Sequence, residues 1–257
     1  MSSYVVSSLL ESPEQTGVFL DFDGTLSEIV DDPAAARPVE GADEVLSDLG
    51  SRLKLVAVVS GRSAHQLVDW LGPDAEIWGL HGAERSIDGR VEVAEQAQPF
   101  VARMAVVAEQ ARAQLAHLGV EVENKGAMLG LHYRRASDPG TAGSRVSEAA
   151  TALARDHDLA VGHGRMVVEL RPPIAFSKAD VVLRRSRESD LKAAAFVGDD
   201  VVDLPAFDAL EELAREGVAI ARVAVDSPEA PPELLERADV VVTGPRGVVE
   251  WLSLLRG

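Results

Sequence analysis

The chain has 257 residues, of which 46% are hydrophobic and 26% charged, and its formal net charge is −17. This composition is typical of a globular protein with a hydrophobic core, and the acidic balance argues against nucleic acids and anionic membranes as partners. The absence of cysteine excludes disulfides, zinc–thiolate sites and thiol nucleophiles, and it favours a cytoplasmic location. We expect neither a membrane span nor a signal peptide, because no apolar run approaches about 18 residues and no basic stretch opens the chain.

The first third of the chain alternates strand and helix patterns. Residues before about Thr16 are expected to be loosely held. Short apolar runs that end in turn residues predict strands at 17–21 and 53–59, and apolar residues at helical spacing predict helices at 41–49 and 64–71. This alternation is typical of a parallel α/β sheet.

The middle of the chain, from residue 86 to residue 170, has a different pattern. A long helix is followed by alternating polar and apolar segments, a turn-rich stretch and a second helix, which predicts an inserted domain of both helices and strands. The predicted elements are a helix at 99–118, strands at 120–123 and 128–134, a turn at 137–143, a helix at 144–157, and strands at 160–162 and 166–170.

The first pattern resumes after the insert. Strands that are apolar throughout and alternate with helices indicate a sheet covered on both faces. We therefore predict a doubly wound, Rossmann-like α/β core with a parallel sheet, formed by residues 1–85 and 171–257 and interrupted by an α/β domain at 86–170. The predicted elements after the insert are helices at 179–187, 204–215 and 248–255 and strands at 193–197, 217–221 and 239–242.

Polar side chains follow three of these strands, at the edge where parallel α/β sheets bind ligands. Carboxylates suit a hard cation, a hydroxyl and an ammonium suit an anion, and one carboxylate is left as a nucleophile. Each motif by itself fits a turn or a helix cap equally well, so the conjunction of all of them points to a functional site. The set comprises Asp21 and Asp23, Ser60, the group Asp199, Asp200 and Asp203, and Lys178 at the start of the preceding helix.

The segments "DFDGTL", "VVSGR", "SKADVV" and "GDDVVD" together resemble the four motifs of the haloacid-dehalogenase superfamily of phosphotransferases. The resemblance implies that Asp21 attacks phosphorus and forms an aspartyl-phosphate, and that Asp23 serves as general acid and then general base. It implies a Mg²⁺ ion held by Asp21, the backbone carbonyl of Asp23 and Asp199. Asp203, and with less support Asp200, would orient a metal-bound water or Lys178.

The same resemblance implies a set of groups that bind the phosphoryl oxygens. Lys178 and the metal would offset the repulsion between two carboxylates and a phosphate dianion. The implied phosphate-binding groups are Thr25, Ser60, Gly61, Lys178 and the backbone N–H groups around residues 22–24.

The position of the insert implies, in this superfamily, a cap domain that closes over the active site and selects the substrate. The segments "WGLHGAER", "VENKGAMLGLHYR" and "VVELRP" resemble trehalose-6-phosphate phosphatases. Each residue type also fits a structural role. His132 and Arg134 fit a solvated strand face, His81 fits a turn, and Lys125 before Gly126 fits a hairpin turn. The sugar-contacting residues that the resemblance implies are Glu123, Lys125, His132, Arg134 and Glu169, with His81 and Glu84 on the hinge side.

We therefore expect a Mg²⁺-dependent phosphatase that converts trehalose 6-phosphate to trehalose and phosphate, with a small sugar phosphate as its partner and no obligate protein partner. The stretches at 174–179 and 202–204 depart from the family pattern, which leaves open another phospho-sugar such as sucrose 6-phosphate or a glycosylglycerate phosphate. A phosphomutase and an inactive sugar-phosphate-binding module also remain as alternatives.

Overall fold

The computed structural model describes residues 2–30, 35–87, 89–164, 166–228 and 230–256. Within it the chain forms two compact units. The larger comprises residues up to 92 and from 176 onward, and the smaller is the insert Val93–Ala175. The sequence-predicted boundaries lie at 86 and 170.

The elements are numbered in chain order over the described residues. The strands are β1 (Thr16–Leu20), β2 (Leu55–Val59), β3 (Glu76–Gly79), β4 (Glu84–Ile87), β5 (Arg90–Val93), β6 (Glu121–Asn124), β7 (Leu129–His132), β8 (Ala160–Gly164), β9 (Val167–Arg171), β10 (Ala193–Gly198), β11 (Ala219–Asp226) and β12 (Val240–Thr243). The helices are α1 (Ser2–Leu9), α2 (Ala42–Arg52), α3 (Ala64–Leu71), α4 (Gln98–Leu115), α5 (Pro139–His157), α6 (Lys178–Glu188), α7 (Leu204–Arg215), α8 (Pro232–Arg237) and α9 (Gly244–Ser253).

The larger unit is built on an eight-stranded sheet of order β12-β11-β10-β1-β2-β3-β4-β5. The strands from β12 to β3 are parallel, and β4 pairs antiparallel with β3. The chain runs outward from β1 through β2 and β3, then returns to the other side of β1 as β10. This reversal makes the carboxyl end of β1 the topological switch point, where α/β sheets bind their ligands.

The hydrophobic core of this unit lies on both faces of the sheet. Successive strand residues point to opposite faces, so Val18 and Leu20 pack in one cluster with α2, α3 and α9. Phe19 packs in the other cluster, with α6 and α7. The predicted doubly wound α/β core is therefore confirmed.

The insert has its own core, formed by α4 and α5 against one face of an antiparallel sheet of order β6-β7-β9-β8. Leu129 and Leu131 of β7 and Val168 and Leu170 of β9 point into this core and are buried. Their alternating neighbours therefore lie on the opposite face of the sheet.

Two expectations about local structure are wrong. Most of the predicted turn at 137–143 is helical, because α5 begins at Pro139, where the missing N–H of proline is tolerated. The Asp138 side chain caps this helix by accepting a hydrogen bond from the Thr141 backbone N–H. The segment before Thr16 is not loose along its length. It forms α1, whose Leu9 is buried and whose Leu9 carbonyl accepts a hydrogen bond from Thr16 Oγ1 at 2.7 Å.

The sequence also left out the strands β3, β4 and β5, which extend the large sheet beyond β2. Among the described helices, none combines the length and the apolar character needed to cross a lipid bilayer.

Candidate active site

Asp21 is the first residue after β1, and the sheet holds it beside the end of β10. Its backbone N–H donates to the Val197 carbonyl at 2.9 Å, which continues the parallel ladder one residue past the strand. The loop after β10 then brings Asp199 and Asp203 to the same point, where carboxylate oxygens of all three residues lie within 4.8 Å of one another. Asp21, Asp199 and Asp203 are buried. The switch point of the sheet thus carries a buried cluster of three carboxylates.

Lys178 is the cation of this cluster. It is the first residue of α6, and the preceding residue, Ser177, caps the helix because its side chain accepts a hydrogen bond from the Asp180 N–H. The Lys178 ammonium lies 2.8 Å from Asp21 Oδ1 and 2.6 Å from Asp203 Oδ1. The Phe22 N–H also donates to Asp21 Oδ1, at 2.7 Å, so two donors orient the Asp21 carboxylate.

Asp203 holds both the lysine and the loop. While Oδ1 binds Lys178, Oδ2 accepts hydrogen bonds from the backbone N–H groups of Asp199 and Asp200 at 3.0 and 3.1 Å. Gly198 makes room for this carboxylate, because a Cβ there would lie 2.4 Å from Asp203 Cγ. The Asp200 side chain differs: it is exposed and accepts from the Val201 N–H. Of the two residues proposed to support the site, Asp203 alone has its side chain in the described cluster.

Burial shifts the protonation of these groups. Desolvation raises the pKa of Asp21 to about 7, although Lys178 opposes the change. Desolvation, with repulsion from Asp21 and Asp203, raises the pKa of Asp199 to about 8. Burial would lower the pKa of Lys178, but the carboxylates of Asp203 and Asp21 outweigh it and raise this pKa above its ordinary value. One lysine is too little positive charge for three buried carboxylates, and a further cation would relieve the excess.

The arrangement fits a divalent cation. Asp199 Oδ1 is buried and has no hydrogen-bond partner among the described residues. Asp199 Oδ2 lies where a Cβ on Gly24 would be, at 1.9 Å, so the glycine leaves this carboxylate its space. Oxygen ligands of this kind suit Mg²⁺. Asp203 is the least available of the three, because its two oxygens already bind Lys178 and two backbone N–H groups.

The candidate phosphate-binding groups border the cluster in the larger unit. Thr25 is fully buried, and its Oγ1 has no hydrogen-bond partner in the described part of the chain. Ser60 is buried after β2, and its Oγ accepts from the Arg62 N–H at 3.2 Å. Two backbone groups expected to bind phosphate are engaged, because the Phe22 N–H bonds to Asp21 and the Gly24 N–H donates to the Ser27 carbonyl at 2.8 Å.

Asp23, expected to be the acid–base group, is paired with Arg62. Arg62 Nε lies 2.8 Å from Asp23 Oδ2, and Nη2 lies 2.7 Å from Oδ1. Arg62 is not among the site residues predicted from the sequence. The available signal was its place in "VVSGR", directly after Ser60 and Gly61.

His81 and Glu84 lie beside the β2–α3 loop. His81 has a left-handed backbone with φ of 58°, and its N–H donates to the Ser60 carbonyl at 2.9 Å. Its ring covers Gly61, where a Cβ would meet His81 Nε2 at 3.0 Å. Glu84 is 3% exposed, and its Oε2 accepts a hydrogen bond from the Ala64 N–H at 2.8 Å. Glu84 therefore anchors the first turn of α3, a structural contact that the sequence did not predict.

Four candidate sugar-contacting residues form a cluster of their own within the insert. Glu123, Gly130 and Glu169 are in register across β6, β7 and β9, on the face opposite the helices. His132 Nε2 lies 2.8 Å from Glu123 Oε2. Lys125 Nζ lies 3.4 Å from Glu169 Oε1 and 3.6 Å from Glu123 Oε2.

Arg134 is half-buried and lies two residues past the end of β7, in a turn rather than in the predicted strand. The glycine at 130 leaves space for the histidine–glutamate contact, because a Cβ there would lie 2.8 Å from His132 Nε2. The insert therefore presents a hydrogen-bonding surface with both signs of charge, the chemistry that a hydroxyl-rich ligand requires.

The sequence of the chain is similar to those of a known protein family. A family model described as trehalose-phosphatase matches residues 19–238. The chain is 39% identical over 246 residues to a trehalose-phosphate phosphatase of Mycobacterium avium (strain 104), covering 86% of this chain and 61% of that relative. The chain thus spans about three fifths of the length of this relative.

Solved structures of low sequence identity show the same fold. The C-terminal domain of C. albicans trehalose-6-phosphate phosphatase superposes with a TM-score of 0.74 at 24% identity, covering all of this chain and 96% of that one. A haloacid dehalogenase-like hydrolase from Bacteroides thetaiotaomicron superposes with a TM-score of 0.61 at 16% identity, covering 93% of this chain and 98% of that one. These structures show the fold that the resemblance implies, and the family model and the mycobacterial relative confirm the predicted resemblance to trehalose-6-phosphate phosphatases.

Proposed function

The chain belongs to the trehalose-phosphatase family, and on that premise we propose that it is a Mg²⁺-dependent phosphatase that hydrolyses trehalose 6-phosphate to trehalose and phosphate. The observation that carries the proposal is the buried cluster of Lys178 with Asp21, Asp199 and Asp203 at the switch point of the sheet. The cluster combines a carboxylate suited to nucleophilic attack, a fixed cation and a carboxylate oxygen, Asp199 Oδ1, that has no hydrogen-bond partner among the described residues.

Asp21 is the proposed nucleophile. Its Oδ1 is held by Lys178 and the Phe22 N–H, which leaves Oδ2 to attack phosphorus. The new bond joins Oδ2 to phosphorus while the bond between phosphorus and the sugar oxygen breaks, giving an aspartyl-phosphate and a sugar alkoxide. Positioning of this kind supplies much of the rate enhancement in phosphoryl transfer.

Asp23 is the proposed acid–base group. It gives its proton to the departing sugar oxygen, so that trehalose leaves as a neutral alcohol, and it later takes a proton from the water that attacks the aspartyl-phosphate. The second step breaks the bond between Asp21 and phosphorus and returns the Asp21 carboxylate. The Asp23 side chain is 43% exposed, which supports its contact with a substrate and with water.

Mg²⁺ would be held by the carboxylates of Asp21 and Asp199 and by the backbone carbonyl of Asp23, and when bound it would neutralise negative charge around the phosphoryl group. We propose that Asp203 keeps Lys178 and the Asp199 loop in place. Thr25, Ser60, Gly61 and Lys178 are the proposed phosphate-binding groups. The buried Thr25 hydroxyl, which has no hydrogen-bond partner in the described part of the chain, supports this assignment.

The sugar part of the substrate is proposed to bind residues of the insert. Glu123 and Glu169 suit sugar hydroxyls, and Lys125 balances their charge. We include Arg134, His132 and His81 on the motif resemblance alone. Glu84 belongs to the same proposed set, and its hydrogen bond from the Ala64 N–H would hold it in position beside the β2–α3 loop. A small sugar phosphate as the partner and a cytoplasmic location belong to the same proposal.

The experiment is a phosphate-release panel with purified protein, with and without Mg²⁺. We expect trehalose 6-phosphate to be the best substrate, activity to disappear with a chelator, and Asp21→Asn to lose turnover. Release from sucrose 6-phosphate or a glycosylglycerate phosphate, but never from trehalose 6-phosphate, would replace the substrate. Full activity of Asp21→Asn would remove the proposed mechanism.

A further inference from the structure

The Asp23–Arg62 pair has the geometry of a guanidinium fork. Two roughly parallel hydrogen bonds of 2.8 and 2.7 Å join Nε and Nη2 of Arg62 to the two oxygens of Asp23. This pairing fixes the plane of the carboxylate as well as its position. The Arg62 side chain is only 11% exposed, whereas that of Asp23 is 43% exposed. The arginine is therefore the anchored partner and the aspartate the accessible one.

Aromatic rings hold the guanidinium on its other sides. Arg62 Cζ lies 5.5 Å from the ring centroid of Phe22 and 5.1 Å from that of Trp70, and these two rings stack on each other at 5.3 Å. Arg62 Nη1 also donates to Gln66 Oε1 at 3.3 Å. These contacts reduce the freedom of a long side chain before any substrate binds, which is the preorganisation that a functional group requires.

The fork leaves Asp23 able to react. An ionised carboxylate offers about four lone-pair sites, and the fork uses one on each oxygen. The remaining sites are available to a proton, a leaving oxygen or a water molecule. Because Asp23 is reached from solvent while Arg62 is enclosed, the unoccupied sites belong to the accessible edge of the carboxylate.

We propose that Arg62 is the positioning residue for Asp23: it sets the direction from which this carboxylate meets the leaving sugar oxygen and, afterwards, the attacking water. The inference rests on the proposed phosphatase function. Arg62 also links Asp23 to the phosphate-binding loop, because its backbone N–H donates to Ser60 Oγ. A side-chain substitution keeps that backbone contact, so its effect falls on kcat rather than on KM.

The test separates a lost acid from a distorted loop by changing the leaving group. The rate at which the leaving group is released in a single turnover is measured in the presence of Mg²⁺ for two substrates. Trehalose 6-phosphate has a sugar alkoxide that needs a proton, and p-nitrophenyl phosphate has a phenolate that does not. We expect Arg62→Gln to slow release from the sugar phosphate by about 10- to 100-fold and to slow p-nitrophenolate release by less than about threefold. Asp23→Asn should show the same selective pattern and provides the reference.

Two further variants test whether the fork itself matters. Arg62→Lys should not restore the rate, because one ammonium cannot make two parallel bonds. Arg62→Ala should recover part of its rate on the sugar phosphate when guanidinium ion is added at concentrations too low to unfold the protein, and p-nitrophenyl phosphate should show no such recovery. Arg37→Gln is the matched control, since Arg37 lies over the same Trp70 ring at 5.0 Å and donates to the Ala36 carbonyl; it should keep both rates.

Different results would overturn the positioning role and the proposed function. Equal slowing of both substrates by Arg62→Gln, or full activity of Arg62→Gln or Arg62→Lys on the sugar phosphate, would overturn the positioning role while the wild-type enzyme remains an active phosphatase. A wild-type protein that turns over neither substrate would instead overturn the proposed function, and the role of Arg62 with it. Melting temperatures of all variants show whether each remains folded.

Discussion

The Lys178 ammonium lies 2.6 Å from Asp203 Oδ1, and the two side chains are 2% and 0% exposed. An ion pair this deeply buried is costly to break, even though Asp21 Oδ1 also lies 2.8 Å from the same ammonium. The second oxygen of Asp203 binds two backbone N–H groups of the loop that carries Asp199. One carboxylate thus holds in place both the lysine proposed to bind phosphate and the candidate metal ligand.

Asp203→Asn should destabilise the protein by about 1–3 kcal/mol and abolish phosphate release. The amide keeps the shape of the side chain but removes one of the two carboxylates that lie against Lys178. Urea unfolding measures the loss of stability. Asp208→Asn is the matched control on α7, because Asp208 pairs with Arg237 at 2.6 Å at the surface with 66% of its side chain exposed, and it should lose only a fraction of that stability. Equal midpoints for the two variants would contradict the buried-pair interpretation.

Gly24→Ala should disable the site for a steric reason. The backbone of Gly24 has φ of +74°, and a Cβ would meet Asp199 Oδ2 at 1.9 Å. Gly72 has the same φ, +74°, with nothing within 4 Å of a Cβ. Its ψ of −171° is one that residues other than glycine rarely adopt, so Gly72→Ala carries only a backbone strain of about 1–3 kcal/mol. We expect Gly24→Ala to lose turnover and the thermal shift produced by Mg²⁺, while Gly72→Ala keeps both. Retained turnover in Gly24→Ala would show that Asp199 can move aside without loss of function.

Much of this site could be predicted from the sequence because its residues follow apolar strands directly. The strand ends at Leu20 and Gly198 deliver Asp21 and Asp199 to one edge of the sheet, and parallel topology makes that edge common. The pairing of Arg62 with Asp23 could not be read in this way. The two residues are 39 positions apart, and their contact depends on how β1 and β2 lie side by side and on where Trp70 packs.

The features of the fold that the sequence predicted wrongly or missed have similar physical causes. The stretch at 137–143 contains proline, glycine and serine, which favour turns, yet Asp138 as a cap and Pro139 at the first position start a helix. The polar strand β5, with two exposed residues in its four, lacks the apolar run that identified the other strands. Its pairing at the edge of the sheet, a tertiary contact, makes it a strand.

The buried carboxylates predict how stability depends on pH and Mg²⁺. Burial raises the pKa of Asp21 to about 7 and that of Asp199 to about 8 from an ordinary 3.8. Between the ordinary pKa of 3.8 and the raised values, the folded state binds more protons than the unfolded state. The stability of the metal-free protein should therefore fall as pH rises through this range. Mg²⁺ stabilises the ionised forms, so the rise in melting temperature that it causes should be larger at about pH 8 than at about pH 5.

Two aspartate variants isolate this effect from the general charge of the protein. Asp199→Asn removes one carboxyl group with a raised pKa. This variant should lose the rise in melting temperature caused by Mg²⁺ and part of the fall in stability with rising pH. Asp200→Asn changes the neighbouring residue, whose side chain is exposed, and should keep both. A Mg²⁺-induced shift that is the same at both pH values would contradict the link between these carboxylates and the cation.

The sugar-binding role of the insert predicts a split between two substrates. Lys125 lies between Glu169 and Glu123, and its side chain is 13% exposed. Lys125→Met keeps the length of the side chain but leaves the carboxylates unbalanced where sugar hydroxyls are proposed to bind. We expect KM for trehalose 6-phosphate to rise about tenfold or more, while kcat/KM for p-nitrophenyl phosphate, which has no sugar, stays within about threefold. Arg145→Met removes a cation from the exposed pair with Glu148 on α5 and should change neither constant. Equal losses on both substrates in Lys125→Met would show that this lysine supports the fold rather than sugar recognition, because a lost sugar contact cannot affect a substrate without a sugar.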